Sequence, residues 1–382
     1  MATTFKTFLN NDVVSTRTLL HESIPITGTI ASGTYGAFKA EENIRNFSHG
    51  MFQSVYDYPY LSSSANHIFD ITVGYHSSSN LQATTNEQNN KKKNIYNQMA
   101  QVLVGYDIAG SVLQFDQDGN FAAGGEKMNE CMFFSFSRLL AKDEIKKGSF
   151  NVEFGVSGSA TGDLTKFGTT GPDRFLDRIS LKDTGAENDY RVNSPAGEYA
   201  ILYVSNSAGS PLNDITGSTQ QKAGLIYYQA GIAVITSSVF HRSASSGGEN
   251  GYLSQSLDMR REGSETGHTS FTGSLTGSAI SSSADDIRAR LYNISFNNTT
   301  ELNSSIYFCR ANHNEFNYSS SPSYLSASKI FVKENTLDTP VSYITTIGLY
   351  SADSELLAVA KLSEPLKKDP NTELTLRVRL DY

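Results

Sequence analysis

Tryptophan is absent from this sequence and cysteine nearly so. The two cysteines, Cys131 and Cys309, each sit in an apolar, strand-like run, which points to two buried reduced thiols and not to a disulfide framework. Charge is also scarce: 18% of residues are Asp, Glu, Lys or Arg, and the formal net charge is −8. The largest basic cluster, Lys91–Lys93, is too short to track a phosphate backbone, so no nucleic-acid partner is expected. Long apolar runs are missing too. The longest low-charge stretch, Ala223–Phe240, is interrupted by Gln229 and Thr236 and reads as buried strands, so no membrane partner is expected. Met1–Phe8 carries no apolar signal core. Asn-x-Ser/Thr triplets such as those at Asn46, Asn293 and Asn303 would be glycosylation acceptors only in a secretory setting.

Catalytic spacing is missing as well. His21, His49, His67, His76, His241, His268 and His313 form no His-x-His or His-Glu-x-x-His pair, and no Cys-x-x-Cys occurs, so no metal is expected. No Gly-x-Ser-x-Gly elbow, phosphate loop or dinucleotide fingerprint is present, and no cofactor is expected. Asp116-Gln-Asp-Gly119 opens like a calcium loop, but the distal Glu does not follow in register. A carboxylate pair for glycoside cleavage cannot be recognised by spacing; sugar sites lean on flat aromatic platforms, and the absence of Trp lowers that reading modestly. His67 and Asp70, three residues apart, are placed to hydrogen-bond at a turn or strand end. A non-enzymatic protein is expected.

What is abundant is Tyr (20), Phe (21), Ser, Thr, Asn and Gly. That mix suits strands with long polar turns. The expected fold is mainly β, with antiparallel β-sandwich domains, one amphipathic helix near 85–105 and long polar loops. Strands are expected over Ile68–Tyr75, Ser111–Phe115, Cys131–Leu140, Phe150–Val156, Tyr199–Ser205, Leu225–Thr236, Leu291–Phe296, Ser305–Arg310, Val341–Tyr350, Leu356–Leu362 and Glu373–Tyr382. In the last, Leu374, Leu376, Val378, Leu380 and Tyr382 share one face and the polar residues the other. Leu356–Leu362 is apolar on both faces and reads as a more central strand. Thr84-x-x-Glu87 reads as a capping box, Ile95, Met99, Val102 and Tyr106 recur at helical spacing, and Gly105 closes the helix. A second short helix is expected at Ala284–Arg290, with Asp285 and Asp286 at its N-terminus, and a Ser/Gly-rich loop over His241–Ser283. Residues up to Gly36 read as an arm that orders on another surface. Tyr56, Tyr58 and Tyr60 alternate around Asp57 and Pro59, which places three rings on one face of an extended segment.

The run Tyr343–Lys361, Tyr-Ile-Thr-Thr-Ile-Gly-Leu-Tyr-Ser-Ala-Asp-Ser-Glu-Leu-Leu-Ala-Val-Ala-Lys, resembles a phrase of tail and baseplate proteins of contractile-tailed phages. Glu315–Tyr324 and Leu376–Tyr382 are similar to segments of virion structural proteins of T-even-like myoviruses, especially those infecting cyanobacteria. The resemblance covers Arg310–Tyr382 and, more loosely, Asn46–Tyr75. The nearest parallel in that class is the dimeric wedge protein family of the baseplate. The resemblance implies a structural subunit of a phage tail, made in the host cytoplasm and located in the virion. It implies baseplate proteins as partners and a homo-oligomer within a symmetric assembly. It also implies a terminal β domain built from residues 1–125 and 284–382, with 126–283 inserted. A tail-fibre or receptor-binding adhesin is the alternative; a neck or connector protein and a glycan hydrolase are further ones. Tyr56, Tyr58, Tyr60, Phe316, Tyr318 and Tyr324 are the expected interface anchors, because aromatic side chains dominate interface energetics.

Overall fold

A computed structural model describes residues 5–22, 43–83, 86–121, 124–137, 143–156, 178–206, 208–212, 220–240, 271–276, 279–318, 325–326, 329–330, 337 and 339–382. The protein is mainly β with large antiparallel sheets, as its composition implies. It divides into two compact units: unit 1 is Met1–Leu20 with Glu301–Tyr382, and unit 2 is His21–Thr300.

Unit 1 opens with β1 (Val13–Glu22). Unit 2 then carries β2 (Ile44–Asn46), β3 (Gln53–Tyr56), β4 (His67–Tyr75), helix α1 (Glu87–Leu103), β5 (Glu130–Phe136), β6 (Glu144–Ile145), β7 (Asn151–Gly155) and β8 (Arg178–Lys182). It continues with β9 (Arg191–Ser194), β10 (Gly197–Asn206), β11 (Lys222–Tyr227), β12 (Ile232–Thr236), helices α2 (Phe271–Leu275) and α3 (Ile280–Arg290), and β13 (Leu291–Ser295). β14 (Asn298–Ala311) follows, then β15 (Leu325–Ser326), β16 (Lys329–Ile330), β17 (Ser342–Tyr350), β18 (Leu356–Lys368) and β19 (Leu374–Asp381) in unit 1.

In unit 2 the strands pair in the order β13-β7-β8-β10-β11-β12-β5-β4-β3-β2, with β9 also on β10. β5 and β7 lie five places apart, which in a flat sheet is roughly 24 Å. Yet Phe134 of β5 and Phe154 of β7 have ring centroids 6.2 Å apart, and Phe136 and Phe150 are at 5.7 Å. The sheet therefore curls until its walls face each other, and these rings fill the sandwich-like interior. Phe69, Ile71 and Val73 of β4 line the same interior and are fully buried.

Helix α1 covers the opposite face of β4 at its Gly74 end. A Cβ at Gly74 would lie 2.8 Å from both the Lys92 carbonyl oxygen and the Tyr96 nitrogen, so only glycine permits this approach. The expected helix is present, but its details differ. Its N-cap is Asn86, whose side chain accepts from the Gln88 N–H at 2.8 Å; Thr84 lies outside the described residues. Its buried side carries Lys92, Ile95, Tyr96, Ala100 and Leu103, while Val102 and Tyr106 are exposed. The helix stops at Leu103, and Gly105 takes a positive φ of 92° as it closes. The stripe was displaced in the sequence because a lysine, Lys92, is one of its buried members. The Glu87–Lys91 pair forms at 3.4 Å.

Other boundaries shift for physical reasons. Leu225–Thr236 is two strands, β11 and β12, turning through Tyr228–Gly231. Residues 111–115 make only the bridge Tyr106↔Val112 and no strand. Part of the expected loop over 241–283 is helical in α2 and α3; residues 241–270 lie outside the described residues. α3 starts before Ala284, which leaves Asp285 in mid-helix, where it accepts from Gln53 at 2.8 Å and pairs with Arg288. The expected boundary at 125/126 falls between β4 and β5, which pair residue for residue from Phe69↔Phe136 to Tyr75↔Glu130. The one at 283/284 falls inside α3. Both sides of each belong to unit 2.

Candidate interaction surface

Unit 1 is built from strands whose apolar rows are largely uncovered among the described residues. β14 and β19 pair antiparallel from Ser304↔Asp381 to Ala311↔Leu374. Leu374, Leu376 and Leu380 are only half-buried, and Tyr382 is 74% exposed. Among the described residues of unit 1, Ala311, Leu349 and Val378 are the buried apolar side chains. β1 lies on the other side of β14, and Val14 through Leu19 are exposed on both faces. Asn303 and Tyr382 exchange both backbone hydrogen bonds, at 3.1 and 2.8 Å. By alternation, Thr375, Arg377, Arg379 and Asp381 then point their backbone groups away from β14.

β17 and β18 form a two-stranded hairpin on their own, from Ser342↔Lys368 to Tyr350↔Leu356. The expectation that Leu356–Leu362 is a central strand is overturned: Leu356, Leu357 and Val359 are 52, 67 and 51% exposed. The Tyr350 ring folds over Gly348, where an added Cβ would lie 2.9 Å from it, and Phe5 packs on that ring at 4.6 Å. Val359 stands opposite Gly348. Phe5, Tyr350, Leu356 and Val359 thus make one open apolar face. An isolated hairpin is marginal in water, and apolar surface of this kind marks an interaction site.

The six expected anchors fall in different places. Tyr56 ends β3, but Tyr56, Tyr58 and Tyr60 do not alternate along one strand. Residues four apart on an extended strand are roughly 13 Å apart, whereas the Tyr56 and Tyr60 rings are at 6.3 Å, because the chain turns through residues 57–66. Tyr56 and Tyr58 are half-buried and Tyr60 is 37% exposed. In unit 1, Phe316 and Tyr318 are 51 and 60% exposed. Phe316 takes a positive φ of 56° in a turn held by the Ser342 hydroxyl, which donates to its carbonyl. Lys368 braces that turn, donating to Asn317 Oδ1 at 2.7 Å and the His313 carbonyl at 3.2 Å. Tyr324 lies outside the described residues.

Asp183 and Lys92, both buried in unit 2, were given no role from sequence, and Asp116, which opens the Asp-x-Asp-Gly turn, is buried as well. Asp183 accepts from the Gly148 and Phe150 N–H groups at 2.7 and 3.0 Å and from the Tyr228 hydroxyl at 2.8 Å. Burial pushes its carboxyl up to about 6 against those donors. It borders an open depression of about 540 Å³ lined also by Lys182, Glu187 and Asn188. Lys92, fully buried, donates to the Leu275 carbonyl at 2.6 Å and to Ser283 Oγ at 3.2 Å, and burial pulls its ammonium down to about 8. It caps the last turn of α2. Lys127 reaches Asp116 at 2.5 Å, so an ammonium meets the first carboxylate of the Asp-x-Asp-Gly turn. All three groups spend their polar atoms on holding backbone or a counter-charge. Both cysteines are free; Cys131 is buried and its thiol is pushed well up, and Cys309 is half-buried. No helix among the described residues is long and apolar enough to cross a membrane.

No family model, curated protein or solved structure matches the chain.

Proposed function

We propose that this chain is a non-enzymatic structural subunit of a contractile phage tail, of the baseplate wedge type, and that unit 1 joins it to neighbouring subunits. The observation that carries this reading is the uncovered apolar face of β17–β18. Leu356, Leu357 and Val359 have the composition of a central strand and lie exposed. About half to two thirds of each side chain remains in water, which forgoes roughly 1–2 kcal/mol each of the burial they can gain. A neighbouring subunit supplies that burial. The same segment carries the resemblance to contractile-tail proteins, so composition and likeness point to one surface. Within an assembly, Phe316 and Tyr318 extend the contact, and a repacking of such interfaces accompanies contraction. The test is purification of intact contractile-tailed particles followed by quantitative mass spectrometry. The chain is expected at a fixed copy number in the tail fraction. Its absence from washed particles ends the reading.

A further inference from the structure

Among the described residues, α1 covers the outer face of unit 2's sheet at Gly74 but does not reach four residues back along the same strand face, to the half-buried Asp70. There Arg45, Ser54 and Asp70 are direct cross-strand neighbours on β2, β3 and β4. The Ser54 hydroxyl donates to Asp70 Oδ1 at 2.5 Å and His67 Nε2 meets the same oxygen at 2.8 Å. Asp70 Oδ2 and His67 Nδ1 have no partner among the described residues, and both side chains are 31% exposed. The Tyr56 ring lies 5.4 Å from the His67 ring, and the exposed Tyr60 ring follows at 6.3 Å from Tyr56. Aromatic rings and a carboxylate oriented by two fixed hydrogen bonds therefore form one continuous open strip.

We propose that this strip, Tyr60–Tyr56–His67–Asp70, is a saccharide-binding site. The rings offer flat apolar faces to the C–H side of a pyranose. Asp70 Oδ2 accepts a sugar hydroxyl proton in a charge-assisted bond, and His67 Nδ1 takes a neighbouring hydroxyl. Because Ser54 and His67 already hold Oδ1, the carboxylate is oriented before the ligand arrives, which lowers the ordering cost of binding. A nucleic-acid strand fits less well: a carboxylate closes one end of the strip and the chain carries a net charge of −8, so phosphates are repelled. This site stands apart from the assembly role of unit 1, and either holds without the other.

The experiment is ligand-observed saturation-transfer NMR on the full chain, with the methyl glycosides of glucose, galactose, mannose and N-acetylglucosamine as probes. Transfer to the ring C–H protons of at least one glycoside is expected. Tyr60→Ala and Asp70→Asn should each weaken that binding roughly tenfold or more. Tyr318→Ala, at an exposed ring in unit 1, should leave it unchanged. No transfer from any of the four probes overturns the proposal. So does transfer that persists undiminished in both the Tyr60 and the Asp70 variants.

Discussion

The Tyr228 hydroxyl donates to Asp183 Oδ2 at 2.8 Å, whereas the hydroxyl of its chain neighbour Tyr227 is buried with no partner among the described residues. Tyr227 ends β11 and Tyr228 opens the turn that follows, and both rings are fully buried. Tyr228→Phe removes a donor from a buried carboxylate and is expected to cost about 1.5–3 kcal/mol. Tyr227→Phe, and likewise Tyr75→Phe at a second buried hydroxyl without a partner, removes a desolvated polar atom and is expected to stabilise by up to about 1 kcal/mol. Urea midpoints at constant m-value report both signs. Equal destabilisation by all three changes would show that the hydroxyls of Tyr227 and Tyr75 also stabilise the fold and that the bond to Asp183 does not set Tyr228 apart.

Asp183 makes stability depend on pH in a defined window. Burial raises its carboxyl to about 6 in the folded chain, while an unfolded Asp titrates near 4. Between those values the native state binds the extra proton, so this group's contribution is present below pH ~4 and is lost as pH rises to ~6. The swing amounts to about 3 kcal/mol. Asp183→Asn cannot titrate, so the variant should be flatter than the parent by about that amount between pH 4 and 7. Parallel stability profiles for the two proteins would falsify the assignment.

Gly74 sets how closely α1 lies on β4. With backbone atoms of Lys92 and Tyr96 2.8 Å from its missing Cβ, Gly74→Ala has no flexible neighbour to displace and must lift the helix. A loss of about 1–3 kcal/mol is expected, as for overpacking elsewhere. The burial of Tyr96 should loosen with it, because its hydroxyl holds the Met128 carbonyl at 2.9 Å and accepts from the Phe115 N–H at 3.2 Å. Faster amide exchange at Phe115 checks the mechanism. An unchanged urea midpoint would mean that the sheet, not the helix, gives way at no cost.

Strands with a clear apolar period were legible in the sequence. Phe69, Ile71 and Val73 of β4 and the long run of β10 announced themselves, and β19 alternated as its residues do. β1 did not, because Ser15, Thr16, Arg17 and Thr18 are exposed on both faces and leave no period to read. β8 was missed because its apolar signal is only Ile179 and Leu181. The β18 segment was misjudged for a different reason: its sequence reports coverage on both faces, and the described residues of this chain do not supply it. At the Tyr60–Asp70 strip the His67–Asp70 contact was legible from spacing. The contribution of Ser54 was not, since it depends on the Ser54↔Asp70 register, and the ring contact of Tyr60 depends on the turn that follows Tyr56.

The β17–β18 face proposed above as the subunit contact allows folding and assembly to be tested apart. Leu357 and Val359 are 67 and 51% exposed, so Leu357→Asp with Val359→Asp touches no buried contact and should change the stability of the isolated chain by no more than about 0.5 kcal/mol per site. In a particle the same carboxylates would face a neighbour's apolar surface, where burying an unpaired charge is costly. Phage carrying the double substitution are therefore expected to make soluble chain but to lack it in washed particles. The pair Glu373→Gln, exposed just before β19, and Arg377→Gln, on the exposed polar face of β19, should be incorporated normally. Normal copy number for the Leu357/Val359 variant would remove β17–β18 from the contact and leave Phe316 and Tyr318 as the surface to change next.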